Sequence, residues 1–187
     1  ITIPTKLSEI KIKDYQKYIS IYETLAKEVD KDKDGNPKFS VEQSNFLNIK
    51  LVEILCHIKI NDINAINVND FEDVLKTITN TFKLEPKLVR HFKIKDVDYG
   101  FIPDLEHISM GEYVDLSNYI SSIDTIHKAL AVMYRPSTKY KNDMYTIEEY
   151  ESSDKYSDVM KEAGLDVYLG AQVFFYTLGI QLAKHTL

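Results

Sequence analysis

The fold class is decided by one segment, residues 90–102, which reads RHFKIKDVDYGFI. Apolar and aromatic residues occupy every second position on both sides of a central Lys95-Asp96 pair. Alternation with a period of two places such residues on one face of a strand, and a polar pair between two strands favours a turn. The segment therefore predicts a β-hairpin. Because the remaining patterns are mostly helical, the predicted fold class is α+β, predominantly α-helical.

Helical periodicity precedes the hairpin. Apolar side chains recur at three- and four-residue intervals from Tyr15, and Gly35 and Pro37 end that pattern. Ser40 with Gln43 three residues later has the spacing of a capping box, which opens another helix. Helices are predicted over residues 15–29, 40–58 and 69–82, with Asn69 opening the third.

The chain after the hairpin combines further helices with a second pair of strands. Ser109 and Glu112 form another capping box. Tyrosines in the polar stretch 137–151 predict a second small hairpin around Lys141–Met144. Helices are predicted over residues 109–120, 124–134, 154–163 and 165–187, with Pro136 ending the second of these.

The final helix is apolar on nearly all sides between Val167 and Ile180. A helix that crosses a bilayer needs about 20 such residues, and this run is shorter, contains Gln172 and follows Asp166. It is interpreted as a core helix, with a face buried against another subunit as the alternative. No membrane span is expected.

Two stretches of sequence share one spacing. Leu7, Ile10, Ile12, Asp14 and Tyr15 recur as Leu105, Ile108, Met110, Glu112 and Tyr113. Each stretch follows an Ile-Pro pair and leads into a helix with an acidic residue in its first turn, where the helix dipole favours negative charge. We expect a single domain, residues 1–187, with pseudo-repeated halves 1–85 and 100–187 joined by a hairpin at 88–102. Chance similarity over so few positions is the alternative.

Charge and composition exclude several classes of function. The net charge of -6 over 187 residues disfavours nucleic-acid binding, because phosphate contacts need a concentrated positive field. Cys56 is the single cysteine, which excludes a cysteine-based zinc site. The histidines lack metal-ligand spacing, and the motifs of phosphate-binding loops and nucleophilic serines are missing. We therefore predict a non-enzymatic protein with no catalytic residue, metal or cofactor.

One motif is similar to a calcium site. Residues 30–35, DKDKDG, match the first six positions of an EF-hand loop. The twelfth position of such a loop is a bidentate Glu, and Val41 stands there in this chain. The segment is therefore interpreted as a solvated connection that follows the first helix.

Four acidic residues, Asp104, Glu106, Glu112 and Asp115, lie close together in the sequence. Glu112 and Asp115 are three positions apart and share a face of the predicted helix. Arg135 is one of only two arginines. We predict an ion pair of Arg135 with Glu112 or Asp115 that ties two helices together, with a catalytic carboxylate pair as the alternative.

Segments along nearly the whole chain carry a resemblance to a known group of proteins. They are Ile3-Pro4, Leu7-Ser8-Glu9-Ile10, Val52-Glu53-Ile54-Leu55-Cys56, Tyr99-Gly100-Phe101-Ile102-Pro103, Gly111-Glu112-Tyr113-Val114-Asp115-Leu116, Val132-Met133-Tyr134-Arg135-Pro136, Ile147-Glu148-Glu149-Tyr150 and Val173-Phe174-Phe175. In these segments the chain resembles small tailed-bacteriophage proteins related to the T4-type baseplate-hub and tail-assembly family.

The resemblance implies a structural or assembly protein that contacts other phage tail or baseplate proteins, or further copies of itself as a homo-oligomer. The alternative is an assembly chaperone that stays outside the virion and shields apolar surfaces of a tail protein. The implied location is the virion tail or the host cytoplasm during assembly, with neither nucleic acid nor membrane as partner. The predicted contacts come from the stretches Glu112–Leu116 and Tyr134–Pro136 and from exposed parts of the final helix. The residues singled out in them are Glu112, Tyr113, Asp115, Tyr134, Arg135, Phe174 and Phe175.

Overall fold

The computed structural model describes residues 2–105, 107–141 and 144–185. These residues form an α+β protein that is predominantly helical and carries a small four-stranded antiparallel sheet, which confirms the predicted fold class. Contacts divide the chain into two compact units, Ile1–Leu84 and Glu85–Leu187. The division falls beside the predicted boundary of the first half. The hairpin predicted to join two halves belongs to the sheet of the second unit.

The first unit is helical in its described residues. A capping box of Ser40 and Gln43 opens its second helix, as predicted. Its last helix begins earlier than predicted, because the side chain of Asn67 accepts the capping hydrogen bond from the amide of Asn69. The helices are α1 (Ile12–Ala26), α2 (Val41–Leu55), α3 (Ile60–Ile63) and α4 (Val68–Phe82), and a short 3-10 turn, Leu7–Glu9, precedes α1.

The core of the first unit takes one fully buried side chain from each long helix: Ile12 from α1, Val52 from α2 and Ile78 from α4. Thr81, near the end of α4, is also buried, and its hydroxyl donates to the carbonyl oxygen of Pro4 at 3.0 Å. This hydrogen bond fixes the N-terminal segment to α4.

Both predicted hairpins are confirmed in the second unit. β1 (His91–Ile94) and β2 (Val97–Phe101) pair antiparallel. β2 then pairs with β3 (Tyr134–Lys141), and β3 with β4 (Met144–Ile147), so the sheet order is β1-β2-β3-β4. Residues 142 and 143, between β3 and β4 in the sequence, lie outside the described residues.

The helix predicted over residues 124–134 is shorter than expected. α6 (Ile126–Met133) ends at Met133, and Tyr134 is the first residue of β3. The prediction that Tyr134 ends a helix was wrong because alternation from this residue onward allows pairing with β2. Pro136 lies within the strand, where its carbonyl still accepts a hydrogen bond from the amide of Glu148 at 3.0 Å.

Three further helices complete the second unit: α5 (Met110–Tyr119), α7 (Asp154–Met160) and α8 (Leu165–His185). Val167, Tyr168 and Ala171 of α8 are buried, which confirms the core-helix interpretation for this part of the helix. Nothing is described for the side chains of residues 176–185. Among the described residues, no helix combines the length and the apolar content that crossing a bilayer requires.

The repeated sequence spacing corresponds to a shared local feature, an acidic residue in the first turn of a helix. The first turn of α1 carries Asp14 and the first turn of α5 carries Glu112, as the shared spacing predicts. The four-stranded sheet lies in the second unit. The repeated spacing therefore accounts for how two helices begin, while relatedness of the two halves stays a prediction.

Candidate functional site

The buried ion pair Glu112–Arg135 lies at the centre of the candidate site. Arg135 Nη2 is 2.7 Å from Glu112 Oε1, and both side chains are 8% exposed. The predicted pair between Arg135 and an acidic residue of the preceding helix is therefore confirmed. It joins α5 to β3 instead of joining two helices, because Arg135 is the second residue of the strand.

Glu112 has hydrogen-bonding partners on both carboxylate oxygens. While Oε1 faces Arg135, Oε2 accepts from the amide of Ser109 and from its hydroxyl, each at 2.7 Å. The amide of Glu112 in turn donates to the Ser109 hydroxyl oxygen at 3.2 Å, which completes the predicted capping box. One carboxylate thus caps a helix and neutralises a buried guanidinium.

Arg135 also contacts two further parts of the second unit. Its Nε donates to the carbonyl oxygen of Glu148 at 2.7 Å, and its Nη1 donates to that of Val132 at 2.8 Å. The Tyr150 ring lies over the guanidinium at 5.4 Å. The guanidinium therefore holds the end of α6, the segment after β4 and the start of α5 in one arrangement.

The electrostatic surroundings keep Glu112 ionised. Burial by itself would raise the pKa of its carboxyl group, since a low-dielectric environment disfavours charge. The hydrogen bonds from Ser109 and the charge of Arg135 outweigh burial and lower the pKa below its usual value. Glu112 is therefore a stable anion and not a proton donor.

A second contact fixes α5 from its inner side. The hydroxyl of Tyr150 donates to Asp115 Oδ2, and burial together with this carboxylate raises the pKa of Tyr150. Gly111 faces the same ring, and a Cβ at this position would make an ordinary van der Waals contact with it at 3.7 Å. Asp115, which was the alternative partner for Arg135, pairs with Tyr150 in the structure.

A cavity of about 480 Å³ opens beside the ion pair. Glu112 and Arg135 line its wall, and exposed Asp104 and Glu149 contribute acidic groups. His107 also lines it, with Nδ1 2.7 Å from Asp104 Oδ2. The predicted neighbour Glu106 lies outside the described residues. The cavity carries acidic groups, and Glu112 and Arg135 in its wall already pair with each other.

The outer face of α5 is apolar over the first half of the helix, before Ser117. Met110 is 73% exposed, Tyr113 57% and Val114 41%. These residues stand at positions i, i+3 and i+4, so they are neighbours on the helix surface, and they lie opposite the face that carries Glu112 and Asp115. We call Met110, Tyr113 and Val114 the α5 strip.

The predicted contact residues differ in how deeply the structure buries them. Glu112, Tyr134 and Arg135 are buried within the second unit, so their side chains have little surface to offer a partner. Tyr113 is exposed, whereas Asp115 is half-buried.

Phe174 and Phe175 are also half-buried. They lie against the buried ring of Phe101, with ring centroids 5.6 and 6.1 Å from it. Both therefore use ring surface for packing inside the unit.

Met110 lies outside the predicted contact stretches, and Val114 lies within Glu112–Leu116 but is not among the residues singled out there. The capping box of Ser109 and Glu112 could have identified them, because a buried residue at the third helical position fixes which side faces outward. Reasoning from charged residues alone directed attention to the inner face of the helix.

The calcium-like segment is a closed turn. Asp32 Oδ1 accepts hydrogen bonds from the amides of Asp34 and Asn36, at 2.9 and 2.8 Å. Gly35 supplies the positive φ of 84° that the turn requires. In the part of the chain that the structure describes, no group of three or more metal-ligating side chains converges.

Comparison with known proteins found no matching family model, no matching curated protein and no matching solved structure.

Proposed function

We propose that this protein is a structural or assembly component of a bacteriophage tail or baseplate that works through protein–protein contacts and carries out no reaction. The observation that supports a contact function is the α5 strip. An apolar surface on a helix held rigidly from behind is typical of a surface that another protein covers. The phage setting rests on the sequence resemblance.

The chemistry of the cavity supports the same proposal. A catalytic carboxylate must exchange a proton or attack a substrate, which requires a free oxygen and a suitable pKa. Both oxygens of Glu112 are engaged by Ser109 and Arg135, and its pKa is lowered. This arrangement favours a structural role for the ion pair.

The proposed partners are other tail or baseplate proteins. The proposed location is the virion tail, or the host cytoplasm while the tail assembles. Neither nucleic acid nor a membrane is proposed as a partner, since the chain carries a net charge of -6.

Quantitative peptide mass spectrometry on gradient-purified particles of the encoding phage tests this proposal. A fixed copy number, constant relative to known tail proteins, is expected. Presence in the infected-cell lysate with absence from particles would instead identify the assembly chaperone. Both roles would be refuted if particles of the unmodified phage never contain the protein and if deletion of its gene leaves particle assembly and infectivity normal.

A matched pair of surface variants tests whether the α5 strip makes the contact. Tyr113→Ser should lower incorporation into particles. Val68→Ser removes an apolar side chain that is 71% exposed on the first unit, and should leave incorporation unchanged. Equal incorporation of both variants would remove the α5 strip from the proposal.

A further inference from the structure

We propose that the partner covering the α5 strip is a basic amphipathic segment, with apolar side chains on one face and lysine or arginine residues along its edges. This inference deepens the proposed contact function and rests on it. It identifies the partner by its chemistry: the apolar face packs on the α5 strip, and the cations meet the acidic groups around it.

The sequence around α5 has a strongly one-sided charge. Between residues 96 and 127 it contains no Lys or Arg. The same span contains seven acidic residues: Asp96, Asp98, Asp104, Glu106, Glu112, Asp115 and Asp124. Among them, Glu112 pairs with Arg135, and Asp98 and Asp104 lie beside His91 and His107. A surface of this kind repels acidic partners and attracts basic ones.

The cavity adds two acidic residues from outside that span, Glu148 and Glu149, of which Glu148 pairs with Lys155. Asp104, from within the span, lines the cavity as well. Asp104 is 57% exposed, so its charge remains in contact with solvent. The cavity and the α5 strip share the first turn of α5, which contributes Ser109 and Glu112 to one and Met110 to the other. The two surfaces therefore adjoin at the N-terminal end of α5.

The size of the α5 strip indicates how much of a partner it accommodates. Three side chains exposed to this degree present roughly 300 Å² of mostly apolar surface, comparable to the functional patches of monomeric proteins. A stable dimer buries about 800 Å² on each partner, mostly apolar at its centre. The α5 strip is too small for that centre, but it matches one face of a short helix or extended segment.

The inner contacts of α5 preorganise this surface. The capping box, the Glu112–Arg135 pair and the Tyr150–Asp115 hydrogen bond hold the helix on its buried side. A helix fixed in this way loses little conformational entropy when a partner binds. The α5 strip is therefore ready to bind without rearrangement.

A designed peptide tests the proposal on the purified full-length chain. The probe is a fluorescently labelled helical peptide of leucine and lysine, with leucine at i, i+3, i+4 and i+7, and its partner probe has glutamate in place of lysine. Fluorescence anisotropy at low salt should show binding of the leucine/lysine peptide and none of the leucine/glutamate peptide. Equal binding of both peptides would contradict the proposed charge complementarity.

Two double variants separate the α5 strip from general apolar exposure. Met110→Ser with Val114→Ser removes two strip residues and should weaken binding at least about tenfold. Met144→Ser with Val97→Ser is the matched control, because Met144 is 68% exposed and Val97 42%. The control should bind like the unchanged chain. If the two double variants lose the same affinity, or neither loses any, the α5 strip is not the binding site.

Two charge variants test the acidic rim in the same assay. Asp104→Asn with Glu149→Gln should weaken binding about threefold or more and reduce its salt dependence. Glu28→Gln with Asp34→Asn, which changes two exposed acids of the first unit, should have little effect. The opposite order of effects would place the basic edge of the peptide elsewhere.

Sedimentation velocity identifies a competing occupant. If the chain alone self-associates, and Met110→Ser with Val114→Ser abolishes that association, a second copy covers the α5 strip and the proposed partner chemistry is wrong. The peptide assay is independent of phage particles. If the peptide binds but the protein is not incorporated into particles, only the proposed phage role is refuted. If the protein is incorporated but the peptide does not bind, only the proposed chemistry of the partner is refuted.

Discussion

Replacing Arg135 with methionine should severely destabilise the second unit. The substitution keeps an unbranched apolar stem, shorter than the side chain of arginine, but removes the charge and the contacts with three partners, Glu112, Val132 and Glu148. The carboxylate of Glu112 stays buried and loses its counter-ion. Removal of one partner from a buried ion pair costs about 3–5 kcal/mol.

The expected loss is large relative to the stability of the unit. For a unit of roughly 100 residues, each kcal/mol lowers the midpoint of thermal unfolding by about 4–8 °C. Arg135→Met should therefore lower it by at least about 12 °C. Circular dichroism gives the midpoint, and hydrogen–deuterium exchange should show lost protection in α5 and β3 with α2 as the internal reference.

Lys155 provides the matched control for removing one cation. Its Nζ lies 3.2 Å from Glu148 Oε2 and 2.8 Å from Glu151 Oε1, at a side chain that is 36% exposed. Exposed ion pairs contribute little because water screens both charges. Lys155→Met should therefore change the unfolding midpoint far less than Arg135→Met, and similar effects of the two substitutions would refute the reasoning.

Three further predictions address other parts of the structure. Glu112→Gln should flatten the acid side of the stability–pH profile, as measured by urea unfolding at several pH values. Because folding lowers the pKa of the Glu112 carboxyl group, this group contributes stability that is complete above its usual pKa of 4.5 and is lost as the pH falls through the folded-state pKa. Gly170→Ala should destabilise α8, because the new Cβ would lie 2.1 Å from the carbonyl oxygen of Lys87. At Gly111 a new Cβ makes no close contact, so Gly111→Ala should stabilise α5 by up to about 1 kcal/mol in thermal unfolding. Thr81→Val should cost about 1 kcal/mol and speed hydrogen exchange in the N-terminal segment, and an unchanged exchange rate there would contradict this.

The sequence predicted those elements whose signals are local. Alternation over residues 90–102 predicted the hairpin, and the capping boxes at Ser40 and Ser109 predicted where α2 and α5 begin. Each of these signals depends on residues a few positions apart. Local patterns therefore sufficed for the type of element and, at a capping box, for its first residue.

Features that depend on tertiary pairing were not predicted. Tyr134 follows an apolar helix directly, and local propensity extends that helix through it. The residue becomes a strand because β2 offers an edge with which β3 pairs, over Tyr99 to Phe101. The partner strand lies more than 30 positions away in the sequence, so no local window contains the information.

The candidate site shows the same division. One acidic residue and a rare arginine, Glu112 and Arg135, were enough to predict the ion pair, because a buried charge needs a partner. Its depth was not predictable, since burial depends on how α5, β3 and the segment after β4 meet. As a result, Glu112 and Arg135 were predicted to contact a partner at the surface, although both side chains are buried.

The buried pair explains how the surface and the interior of this site depend on each other. An ion pair of this kind is often no more stabilising than apolar residues of the same size, so stability alone does not account for it. A directional contact, in contrast, fixes the rotation of α5 about its own axis, because Glu112 must face Arg135. That rotation decides that Met110, Tyr113 and Val114 point to solvent. The two charged residues therefore do not contact the partner themselves. They orient α5 so that the apolar side chains that the partner covers face outward.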